Sequence, residues 1–201
     1  MTMSATTGCS HSVCPWWLGW ALASPVRRWI EDPAALLGPW VAPGSRVLEV
    51  GPGMGFFTIP LAERVGPTGK VVCVDLQPRM LAGLTRRLRR RGLGDRVEIR
   101  GCEPTELGIE DLHESFDFAV LIHVLHEVPD PGATLAQMAA ALRAGGRLLL
   151  VEPRGHCSDS QFAAELAAAA EAGLSLDPAS PEHFGRKQRA LLRRSGLPER
   201  G

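Results

Sequence analysis

Hydrophobic and polar positions change their period several times along the chain. Short apolar runs rich in β-branched residues fall at 45–50 (SRVLEV), 70–75 (KVVCVD), 96–100 (RVEIR), 116–122 (FDFAVLI) and 146–152 (GRLLLVE). Runs of this length between turn-forming residues predict strands. Between them, apolar positions recur at helical spacing over 55–65, 78–92 and 131–144, whereas 104–113 is only weakly patterned. Asp32-Pro33 and Asp130-Pro131 each set an acidic cap before a proline at the first helical position. The first opens a short helix to about Trp40 and the second opens the helix at 131. Ser158 with Gln161 makes a capping box for an Ala-rich helix to about Ala172, closed by Gly173. Strands alternating with helices predict an α/β fold, a parallel sheet covered by helices on both faces. Two further strands, near 174–177 and 186–193, flank a connection too short for a crossover helix, so they are expected to pair antiparallel.

Ahead of this pattern, residues 1–12 are small and polar without periodicity, which predicts a disordered N-terminus. Trp16, Trp17, Trp20, Ala21 and Ser24 then recur at helical spacing, giving a helix over 15–30 with an aromatic face. The chain therefore divides into 1–12, a helical segment over 13–40 and one domain over 41–201, a size at which roughly 70% of the unfolded surface can be buried. The stretch VCPWWLGWALASPVRRW falls short of the ~20 residues of a membrane span and is interrupted by Pro15 and Pro25. No Lys or Arg precedes its ALA triplet as a signal peptide requires, so the expectation is a cytoplasmic protein.

Composition narrows the partners. The 22 Lys and Arg balance the 22 Asp and Glu, so no overall basic field argues for nucleic acid. Arg86, Arg87, Arg89, Arg90 and Arg91 read as the solvated face of a helix. The five cysteines, at 9, 14, 73, 102 and 157, are dispersed and odd in number, as reduced thiols are. Cys9, His11 and Cys14 lie close together but lack a second half-site, and no metal is expected.

The stretch RVLEVGPGMG ends a buried strand with Glu49 and follows it with Gly51, Gly53 and Gly55 at alternate positions. Glycines there allow backbone angles closed to other residues and leave no Cβ in the path of a ligand. Ligands of open α/β sheets bind beyond the carboxyl ends of the strands, where this turn would lie. The nicotinamide fingerprint is G-x-G-x-x-G and places a diphosphate on a helix start. Here the spacing differs, Pro52 has no N–H to offer, and Glu49 brings negative charge. That electrostatic arrangement suits a cationic or zwitterionic ligand.

VLEVGPGMGFFTIPLA resembles the first motif of class I S-adenosylmethionine (SAM)-dependent methyltransferases, in particular the small-molecule group that includes quinone-ring and arsenite enzymes. The likeness runs over about 40–195. Beyond it, VVCVDL, LQPRML, FDFAVLIHVLHEVPDPG and LRAGGRLLLVEP follow in the family's order. The resemblance implies a Rossmann-like sheet of seven strands with a C-terminal antiparallel hairpin, helices on both faces and an N-terminal helical lid. It implies SAM as cofactor, with Glu49, Gly51, Gly53 and Gly55 forming the loop and Asp75 gripping the ribose hydroxyls. Leu76 and Met80 would border the adenine. Where the family often has an acidic residue after the third strand, this chain has Cys102 beside Glu103, and His123 stands beside the methionine end of the cofactor.

SAM carries an already activated methyl, so a base is required only when the acceptor is protonated at neutral pH. Candidates at the strand ends are His123, His126, Glu127, Glu152 and His156. His156, with Glu152 at the mouth of the cleft, is the first choice, and His123 is the other catalytic candidate. HVLHE is not the zinc-protease motif, because its glutamate follows the second histidine. The expected activity is methyl transfer to a small, apolar acceptor, with the Trp-rich helix as lid and as a point of contact with a membrane surface. A monomer or homodimer is expected, without nucleic acid. A SAM-binding regulatory protein without catalysis of its own stays open as the alternative.

Overall fold

The computed structural model describes residues 31–153, 155, 157–181 and 187–196. The helix expected over 15–30, and His156, lie outside them. The described chain runs α1 (Pro33–Leu37), β1 (Arg46–Val50), α2 (Thr58–Val65), β2 (Lys70–Asp75), α3 (Pro78–Arg91), β3 (Val97–Gly101), β4 (Phe116–Ile122), α4 (Pro131–Ala141), β5 (Leu142–Pro153), α5 (Asp159–Glu171), β6 (Leu174–Leu176) and β7 (Lys187–Arg194). The seven strands form one sheet in the order β3-β2-β1-β4-β5-β7-β6. The first five are parallel; β7 runs antiparallel to both β5 and β6, as the short 178–185 connection required.

The parallel strands read as continuous apolar runs because both faces are covered. On one face Val47, Val71, Cys73, Phe118 and Val120 pack under Leu36 and Leu37 of α1, Leu61 and Val65 of α2, and Leu84 and Leu88 of α3. On the other, Leu48, Val72, Ala119, Leu148 and Leu150 meet Leu135 and Met138 of α4 and Ala169 of α5. The caps form as expected: Asp32 and Asp130 accept from the amides of Ala34 and Ala133, and the Ser158–Gln161 box closes.

Three boundaries move. The first helix stops at Leu37, because Pro39 has no N–H to continue it, and Trp40 N–H closes only a turn to Leu37. The second starts at Thr58, three residues later than its periodicity suggests, because Gly53 and Gly55 hold left-handed angles. The helix expected to reach 144 ends at Ala141. Leu142 is fully buried and pairs with Phe116 instead. Phe118 then pairs with Arg147, so the register shifts across the intervening Ala144-Gly145-Gly146 stretch, with Gly145 at φ +74°. Helical propensity in the Ala-rich run yields there to strand pairing and burial. The weakly patterned 104–113 contributes one 3-10 turn, Glu110–Leu112.

Candidate active site

The strand order reverses between β1 and β4, and it is beyond the carboxyl ends of the strands at such a point that open α/β sheets hold ligands in a crevice. The glycine loop, which directly follows β1, lies at that point. Gly51, Gly53 and Gly55 take φ of +72°, +53° and +84°, angles at which other residues are strained. Their surroundings differ. A Cβ on Gly51 would lie 2.3 Å from Val124 Cγ2 and one on Gly55 2.5 Å from Leu84 Cδ1, whereas one on Gly53 would meet nothing within 4 Å. The outer two glycines thus permit close packing, and the middle one presents bare backbone to open space.

Asp75, at the end of β2, ties the loop to the next helix. Its Oδ2 accepts from Gly53 N–H at 3.1 Å and its Oδ1 from Gln77 N–H at 2.8 Å. Burial raises its carboxyl above the ordinary range, and these two amides oppose the shift. Each carboxylate oxygen retains a further lone pair for a ligand hydroxyl. Leu76 beside it is 37% exposed, an apolar surface at the crevice, while Met80 is 3% exposed and closed over within α3. Cys102 N–H donates to Asp75 O at 3.3 Å. Burial, then the charges of Asp75 and Glu103, push the Cys102 thiol up to about 11. Glu103 is exposed.

Glu49 lies under the loop with its carboxyl turned into the protein. Cys73 Sγ donates to its Oε2 at 3.4 Å, and Thr58 also bonds it. Burial pushes this carboxyl up to about 7 against those two bonds, helped by the charge of Asp75. His123 opens the β4–α4 connection at φ +59°, its N–H donating to Val151 O at 2.7 Å. A histidine at that angle is uncommon and marks a position held by its surroundings. Its Nε2 stands 3.8 Å from Glu31 Oε1, and Arg189 Nη2 is 3.9 Å from the same oxygen.

Of the sequence-based base candidates, the structure brings His126 and Glu152 together. Glu152 is 0% exposed and its Oε2 contacts His126 Nδ1. The pairing was hidden in the sequence, where the two are 26 positions apart. Parallel register aligns Ile122 with Val151 and so sets Glu152 under the turn that follows β4. Among the described residues no group of acids, histidines and cysteines could hold a metal ion. A separate open cavity of about 440 Å³, lined by Gly145, Ser175, Arg193 and Gly196, lies at the opposite edge of the sheet.

A family model described as a methyltransferase domain matches residues 42–190. A ubiquinone/menaquinone biosynthesis C-methyltransferase of Ectopseudomonas mendocina is 36% identical over 126 residues, covering 63% of this chain and 48% of that protein. A demethylmenaquinone methyltransferase of Bacillus cytotoxicus is 35% identical over 63% of this chain and 51% of its own. The chain spans about half the length of the curated relatives it matches. Among solved structures, a SAM-dependent methyltransferase from Aquifex aeolicus superposes with a TM-score of 0.79 at 20% identity, over 90% of this chain and 99% of that one. An arsenic (III) SAM methyltransferase from Chlamydomonas reinhardtii gives 0.61 at 20% identity, over 80% and 66%. At such identities these two likenesses speak to the fold.

Proposed function

Since this chain belongs to the methyltransferase-domain family, we propose that it is an enzyme that transfers the methyl group of SAM to a small, apolar acceptor. The observation that carries this reading is the pairing of open backbone at Gly53 with the Asp75 carboxylate bonded to that same residue. The residues present fit the cofactor. Asp75 offers lone pairs to two ribose hydroxyls and Leu76 offers apolar surface to adenine, while Glu49, expected from the sequence to face the ligand, turns its carboxyl inward onto Cys73 and Thr58 and braces the loop from beneath. His123 lies toward the methionine end. Cys102 and Glu103 flank Asp75 on the adenine side, with Met80 as packing behind it.

When bound, SAM supplies a methyl on a sulfonium, already activated toward nucleophiles. The protein's part is to hold acceptor and methyl in line and to keep water out. On this reading the glycine loop and Asp75 hold the cofactor, and the β4 and β5 ends face the acceptor. An organic acceptor is favoured over arsenite, which needs converging thiolates. Among the described residues Cys73 and Cys157 are buried, and burial pushes the Cys157 thiol up to about 12. The quinone-ring chemistry named for the curated relatives agrees with an apolar acceptor. Nothing among the described residues favours a binding protein without catalysis.

The Trp-rich segment as lid and membrane-surface contact, His156 as a catalytic group, a cytoplasmic location and a monomeric or homodimeric state belong to the same proposal. No helix among the described residues is long and apolar enough to cross a membrane. Calorimetry with SAM, S-adenosylhomocysteine and NAD tests the cofactor assignment, with micromolar binding expected for the first two and none for NAD. NAD binding without SAM binding would overturn it. A labelled-methyl screen across phenols, quinols, thiols and amines then identifies the acceptor.

A further inference from the structure

The end of β5 and the turn after β4 carry a built pair of side chains that cofactor binding leaves without a task. Glu152 is fully buried, yet both its carboxylate oxygens are engaged. Its Oε1 accepts from Leu125 N–H at 2.8 Å, and its Oε2 contacts His126 Nδ1. A carboxylate held in this way keeps the proton on Nδ1 and makes Nε2 the basic nitrogen of the ring. The His126 side chain remains 16% exposed. Its turn lies against the glycine loop, because Val124 fills the space beside Gly51. Among the described residues, Glu127, whose Oε1 is 3.9 Å from Nε2, and Glu165 of α5 also bring charge to the ring.

Resting on the methyltransferase reading, we infer that His126 is the catalytic base that deprotonates the methyl acceptor, and that Glu152 is its positioning residue. This defines the acceptor class. A base is needed for a nucleophile masked by a proton at neutral pH, and an apolar acceptor of that kind is a phenol or quinol. His126 Nε2 takes the hydroxyl proton. The electron pair released, spread over the ring, forms the new bond to the methyl carbon from oxygen or from an ortho carbon. The pair of the breaking carbon–sulfur bond stays on sulfur. Where an ortho carbon attacks, its own proton moves to the ring oxygen as aromaticity returns, so one net proton ends on His126. The Glu152 carboxylate stabilises the imidazolium so formed.

Nitrogen NMR of the ligand-free protein reads this arrangement directly. His126 is expected in the Nδ1–H tautomer, titrating above an ordinary histidine because of the Glu152 hydrogen bond. In Glu152→Gln the amide oxygen can still accept from Leu125, while the NH2 group faces Nδ1. The ring should therefore switch to the Nε2–H tautomer and titrate lower. With a naphthohydroquinone as acceptor, kcat should fall at least about 100-fold in both His126→Gln and Glu152→Gln. S-adenosylhomocysteine affinity should stay within about twofold, since Asp75 and the loop are untouched. In the wild type, transfer should rise with pH as His126 loses its proton. An unchanged His126 tautomer and titration in Glu152→Gln would overturn the inference. So would His126→Gln retaining transfer within about tenfold, well short of the usual loss on removing a base. A wild-type protein that binds no S-adenosylhomocysteine would overturn the methyltransferase reading itself.

Discussion

Asp75 and Glu49 are both buried carboxylates at strand ends, yet their surroundings assign them opposite tasks. Asp75 has two backbone amides on its oxygens and ends β2 beside the glycine loop. Asp75→Ala should weaken SAM binding by about 1.5–3 kcal/mol, the scale of a hydrogen bond to a charged group, as calorimetry would show. An unchanged affinity would remove the end of β2 from the site. Glu49 is enclosed, and its carboxyl titrates near 7, above the usual 4.5. Between those values the folded protein holds more protons than the unfolded chain. Stability from this group is therefore complete below the lower value and is lost as pH rises through the upper one. The penalty at pH 8 is on the order of 3 kcal/mol. Ligand-free Glu49→Gln should accordingly melt higher than wild type at pH 8 and close to it at pH 5. A melting difference independent of pH would show that Glu49 is not buried as a carboxyl.

The glycine loop works as an element because its glycines have separable reasons to be there. Gly51→Ala drives a Cβ into Val124 on top of an unfavourable φ, so a melting loss of several degrees is expected, in line with overpacking costs of about 1–3 kcal/mol. Gly53→Ala meets only the backbone cost, about 1 kcal/mol, but its methyl enters the crevice. The first variant should be recognised by its lowered stability, and the second by lost SAM affinity in a protein that still melts cooperatively. Equal loss of affinity with equal loss of stability would contradict this division. The α3 helix supports the loop from behind, with Gly83 leaving room for Met54 and Arg87 bonding the Met54 carbonyl. A sequence pattern shows that such a helix exists but not which loop it braces.

At the scale of the molecule, the sheet divides the work. The β2 and β1 ends hold the cofactor side, the β4 and β5 ends carry His123, His126 and Glu152, and the antiparallel β7–β6 pair closes the far edge. The proposed lid would cover the crevice between these two sides. Removing residues 1–30 should leave SAM binding within about tenfold, since the loop and Asp75 remain, yet abolish methyl transfer by letting water into the acceptor chamber. A truncated protein that melts much lower and no longer binds SAM would show instead that the segment holds the domain together.

Asp75 was marked as a ligand only by its place in the family resemblance. Local signals alone determined the five parallel strands, the three acidic or serine caps, the antiparallel tail and the glycine loop. Each depends on periodicity, capping or backbone freedom within a few residues, so each is legible without knowing the fold. The helix-to-strand switch at Leu142 was not legible, because a fully buried pairing with Phe116 outweighs an Ala-rich run that favours helix. Nor could Glu49 be seen to turn inward onto Thr58 and Cys73, which depends on strand register with β2. The pairing of His126 with Glu152 was decided in the same way. Both residues were visible as candidates, but only the parallel register of β4 with β5 buries the carboxylate beneath the imidazole, where water cannot compete for the bond between them.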